Sequence, residues 1–97
     1  MKKEPQTLRE IEDAYVKKQG LNARHRSVLC LLLAHRESVA AEEILREAGI
    51  SGPWRKRPLE QLARKSLIGY VDGCVRLTYA GEFVAGVLVR RQSQRKA

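Results

Sequence analysis

Trp54, Arg55, Lys56 and Arg57 put an aromatic ring and three cations in consecutive positions, and Arg64 and Lys65 add two more charges shortly downstream. Cations in such a run neutralise phosphate oxygens, an arginine fork matches a guanine edge, and an indole stacks on a base. The same pattern also fits a solvated charged face with Trp54 packed under a turn. Arg24 and Arg26 lie near the start of a second helix, where backbone donors and the helix dipole favour phosphate, although plain solvation serves them equally well. Arg76, on a short strand, reaches phosphate at most.

Other chemistries fit poorly. His25 and His35 have no acidic or cysteine neighbours at ligand spacing, so neither a metal site nor a cofactor is expected. Glu42, Glu43 and Glu47 share one helix, but a catalytic carboxylate pair needs a cleft and a raised pKa. They are expected to face away from a polyanion. Cys30 and Cys74, far apart in sequence, fit two free thiols in a reducing compartment. At 97 residues the chain is expected to form one domain with a modest core, too small for a deep active site, so no enzymatic activity and no small-molecule ligand are expected.

The net charge of +8 points to a polyanionic partner, with nucleic acid before membrane. The surplus is local: residues 51 to 70 carry five basic groups against one acidic, and residues 81 to 97 carry four against one. The apolar run from Val28 to Ala34 is too short to span a bilayer, and the opening MKKEPQ lacks an apolar stretch behind its lysines. A soluble cytoplasmic protein with no membrane association is expected.

The elements that position the basic residues follow from periodicity. Thr7 and Glu10 form a capping box for a first helix striped by Leu8, Ile11 and Tyr15 and closed by Gly20. Asn22 caps ARHRSVLCLLLAHRE, apolar nearly all round and therefore central to the core. In SVAAEEILREAGIS a helix starts at Ser38 or Ala40, turns Ile44, Leu45 and Ala48 inward, and bends at Gly49 with Ile50 plugging the turn. Pro58 is incompatible with a regular helix running from Pro53, so PWRKR is expected as a turn, with a shorter helix beginning at Pro58. Leu59, Leu62, Leu67 and Ile68 form its inner side.

Asp72-Gly73 signals a two-residue type I′ hairpin that sets Val71 opposite Cys74, Tyr70 opposite Val75, Gly69 opposite Arg76 and Ile68 opposite Leu77. Ile68, Tyr70, Val75 and Leu77 then share the core-like face. Thr78 caps a last helix carrying Phe83, Val84, Val87 and Leu88. Tyr15 and Tyr79 are expected in the core or at a dimer contact. The divisions expected are an N-terminal helix over 7–20, a central unit over 22–78, a C-terminal helix over 79–92 and a frayed tail over 93–97.

AAEEILREAGISGPWRKRPLEQLARKSLIGYVDGCVRLTYAGEFV resembles the winged helix-turn-helix superfamily of transcription regulators, MarR-like and PadR-like members in particular, over residues 22 to about 90. LEQLARKSLI follows that superfamily's recognition-helix exit, and VRLTYAGEFV its second wing strand and next helix. The resemblance implies a mainly α fold with a short β-hairpin, double-stranded DNA binding with the third helix in the major groove and the wing on neighbouring backbone, and homodimers on palindromic sites. The chain departs from the pattern at Ser66, where glycine is usual, and at a wing tip without arginine or lysine. Leu8, Ile11, Tyr15, Phe83, Val84, Val87 and Leu88 are the expected dimer surface, flanking the minimal domain. The expected function is sequence-specific operator binding at the nucleoid. The alternatives are a winged-helix protein-interaction module of a larger assembly and an RNA- or ribosome-binding domain.

Overall fold

Helix α2 (Ala23–His35) is the axis on which the other elements pack, in a computed structural model that describes residues 8–95. Its Val28, Leu29 and Leu32 are buried, and Cys30, Leu31 and Leu33 line the core margin. Asn22 opens it with a reciprocal box: its side-chain oxygen accepts from the His25 backbone N–H at 2.9 Å, while its own N–H donates to His25 Nδ1 at 3.2 Å. α1 (Leu8–Lys18) lies across α5 (Tyr79–Arg95), with Val16 turned into the core. The expected cap at Thr7 lies outside the described residues. The last helix runs to Arg95, three residues past the end expected at 92.

Between α2 and the next helix the chain forms β1 (Val39–Ala40), a strand that the sequence did not suggest. α3 (Ala41–Glu47) follows with no side-chain cap. Just past its C-cap Ala48, Gly49 takes a φ of 74° that lets Ile50 donate back to the Leu45 carbonyl at 2.9 Å. A turn leads to α4 (Arg57–Arg64), with Pro58 in its first turn where the lost N–H costs no internal bond. The break expected before Pro58 is present, one residue earlier.

β2 (Ile68–Val71) and β3 (Cys74–Leu77) pair in the expected register, from Ile68 opposite Leu77 to Val71 opposite Cys74. β1 joins the far side of β3, giving an antiparallel sheet of order β1-β3-β2. Asp72 and Gly73 both take positive φ, as a type I′ turn requires. Ile68, Val75 and Leu77 are buried, but Tyr70 stands about half exposed, beyond the edge of the core it was expected to join.

Ser66 adopts φ 62° and closes α4 as glycine would. Its N–H reaches the Ala63 carbonyl at 3.0 Å, and Leu67 N–H the Leu62 carbonyl at 3.1 Å, the paired bonds of a Schellman motif. Thr78 locks this end to α5. Its hydroxyl donates to the Ser66 carbonyl at 2.6 Å and accepts from Gly81 N–H at 3.0 Å, and its backbone N–H donates to the Leu67 carbonyl at 3.1 Å. α5 approaches so closely that a Cβ on Gly81 would lie 1.9 Å from the Leu67 carbonyl oxygen.

Candidate nucleic-acid interface

The turn before α4 is shaped by Gly52, at φ 99°, with Arg55 N–H donating to the Gly52 carbonyl at 3.2 Å and Arg57 N–H to the Trp54 carbonyl at 3.0 Å. The tight path throws Trp54 outward, where 75% of it is exposed. The reading that packed Trp54 under the turn therefore fails. Trp54, Arg55, Lys56 and Arg57 join Arg64, one side of α4 and Gln61 around a single open groove. Arg64 and Gln61 also border an adjoining, shallower groove, with Lys65, Asn22 and His25. The two grooves make one predominantly cationic edge along α4, with Glu60 among the cations.

The other expected contacts lie elsewhere. Arg76 borders a depression between the end of α2 and the start of α5. Arg26 donates to the Leu21 carbonyl at 2.9 Å and lines a cleft with α1 and α5. Arg24 is exposed on the first turn of α2.

Glu42 does not face away from the basic turn as expected. Its carboxylate accepts from Arg55 Nε at 3.0 Å and from Nη2 at 3.2 Å, and Lys56 Nζ stands 3.5 Å away. The path through Gly49 and Gly52 brings the start of α3 back against the turn, a proximity that local spacing does not reveal. The Arg55 hydrogen bond holds the Glu42 carboxyl below its usual range, and the same bond raises Arg55 further.

His25, expected at the surface or partly packed, is only 4% exposed. Asn22 N–H, which can only donate, faces Nδ1, so the ring proton sits on Nε2 and is donated to Gln61 Oε1 at 2.7 Å. A buried imidazole thus ties the cap of α2 to the middle of α4. The Asn22-to-His25 spacing is that of a capping box, with histidine in place of the usual glutamate or glutamine.

The apolar residues expected at a dimer contact divide. Leu8, Ile11, Tyr15 and Phe83 are exposed, and the rings of Tyr15 and Phe83 meet edge to face at 5.5 Å. Val84, Val87 and Leu88 are instead buried in the chain's own core, because α5 packs along α2. Tyr79, at 92% exposure, belongs to neither core nor ring pair. Arg90 and Arg91 pair with Glu12 and Asp13, fastening α5 to α1. Cys30 and Cys74 are free thiols, and burial pushes the Cys30 thiol up. Among the described residues no group of three or more potential ligands gathers at a metal-binding distance, and no helix is long and apolar enough to cross a membrane.

Two helices joined by a glycine bend, the second presenting a cationic edge and followed by a hairpin packed against its end, define a winged helix-turn-helix. The same fold is found in MepR, a transcription regulator of the Staphylococcus aureus multidrug efflux pump MepA. This chain is 21% identical to it, with a TM-score of 0.71 over 91% of this chain and 70% of that one. No protein-family model and no curated protein matches the sequence.

Proposed function

We propose that the chain binds double-stranded DNA sequence-specifically through the segment from Trp54 to Lys65 and regulates transcription by occupying an operator, in the cytoplasm at the nucleoid. The observation that carries this reading is the convergence of Trp54, Arg57, Arg64 and Lys65 on the outer edge of α4 in a protein of net charge +8. The likeness to a solved transcription regulator supports it. Arg57 and Arg64 would enter the major groove, Lys65 and Arg24 would grip phosphate, and Arg76 would reach the backbone beside the wing. The exposed stripe of Leu8, Ile11, Tyr15 and Phe83 would join two copies, setting half-sites about 34 Å apart.

A salt titration on random duplex DNA, duplex RNA and single strands tests the reading. About six phosphate contacts give a log–log slope near −5 on duplex DNA. Replacing Arg55, Lys56 and Arg57 together by alanine should abolish most duplex affinity at moderate salt. Equal affinity in the triple variant would place the interface elsewhere. A second reading, a protein-docking winged helix, is favoured by the half-exposed Tyr70 and Val71 of a wing whose tip has no arginine or lysine. Duplex affinity that is weak even at low salt would support it.

A further inference from the structure

One carboxylate, Glu42 in the first turn of α3, engages two of the three consecutive cations at the mouth of α4. It holds Arg55 through the Nε/Nη2 fork, and Arg55 Nη1 donates to the Gly52 carbonyl at 3.3 Å. Arg57 and Arg64 have no side-chain partner among the described residues. A carboxylate seated in a guanidinium fork takes the geometry that a phosphate or a guanine edge would take. Glu42 is half exposed, and an ion pair so close to water exchanges easily.

We propose that Glu42 is a specificity-determining residue, which occupies Arg55 and Lys56 in the free protein and so penalises DNA that offers phosphate alone. This rests on the DNA-binding reading above. Non-specific affinity is almost wholly charge neutralisation. A phosphate that displaces Glu42 gains two cations but leaves an unpaired carboxylate beside the polyanion, so the net electrostatic gain is small. A matching site is instead read by Arg57 and Arg64 through base-edge hydrogen bonds that leave the Glu42–Arg55 pair in place, so it escapes that penalty. Glu42 thus weakens indiscriminate binding more than it weakens binding to the target.

The test compares Glu42→Gln with Glu43→Gln in the full chain. Both remove one negative charge from exposed positions of α3, but only Glu42 touches the basic turn. Affinities are measured against salt on random duplex and on a duplex selected from a random pool by the unaltered protein. Glu42→Gln should bind random duplex about three- to ten-fold more tightly, with a salt slope steeper by about one, and the ratio of selected to random affinity should fall. Glu43→Gln should stay within about two-fold of the unaltered protein on both duplexes. Unchanged or weaker random-duplex binding by Glu42→Gln overturns the assignment, as does an equal gain in Glu43→Gln, which would reduce the effect to net charge. In both cases the DNA-binding reading stands. Failure of the unaltered chain to bind any duplex at low salt instead removes that reading and this assignment together.

Discussion

The two ends of α4 are held in opposite ways. Its C-terminal end is clamped by backbone: Ser66 closes a Schellman motif, Thr78 bonds in three directions, and Gly81 admits the Leu67 carbonyl where a side chain would collide. Its N-terminal end has no side-chain cap and rests on ion pairs that face water. Hydrogen bonds that close a helix end within the chain are not displaced by a passing ion, whereas exposed charge pairs exchange with any ion that fits. The helix is therefore fixed in direction at the end beneath the wing and left adjustable at the end carrying the cations.

Four changes should sharpen or break this contrast. Gly81→Ala should have the largest effect, about 3 kcal/mol of lost stability by chemical denaturation, because the obstructing atom is backbone and cannot swing aside. A loss below about 0.5 kcal/mol would mean that α5 is free to shift. Thr78→Val should cost about 2 kcal/mol, since it removes the Ser66 bond and leaves Gly81 N–H without an acceptor. At temperatures where both variants remain folded, duplex affinity should be little changed.

At the other end the ordering reverses. The triple alanine variant of Arg55, Lys56 and Arg57 should keep nearly the same thermal midpoint while losing DNA. A large drop in midpoint would show that the turn is part of the scaffold. The smallest effect concerns His35, whose ring nitrogen meets Glu47 at 2.9 Å and so ties the end of α2 to the end of α3. The hydrogen bond to Glu47, reinforced by the charges of Glu47, Glu43 and Glu37, raises its pKa above the ordinary 6.5. A base raised in the folded state contributes stability that is complete below pH 6.5 and is lost as pH climbs through the folded value. The thermal midpoint should thus fall slightly between about pH 6 and pH 8, and His35→Gln should flatten that slope.

What the sequence revealed follows the same division. The hairpin register was legible because a two-residue turn leaves one pairing available, and the break before Pro58 because a proline ring excludes a regular helix there. Thr78 announced itself by type and place. β1 did not, since two residues carry no periodicity and Val39–Ala40 becomes a strand only when β3 lies beside it. Glu42 and Arg55 are joined by the path of the turn rather than by helical spacing. The stripe on α5 showed that Val84, Val87 and Leu88 would be buried, but not that the covering surface would be α2 of the same chain. Periodicity identifies an apolar face without identifying what lies against it.

The chain's single tryptophan, Trp54, stands almost entirely in water at the rim of the cationic groove. Ultraviolet emission from the folded protein should already be that of a solvated indole, so denaturation will barely shift its colour. A base or partner surface settling over the ring will quench it or move it to the blue. The molecule thus carries a native optical reporter that is nearly blind to the integrity of its core and responsive to whatever occupies its charged edge.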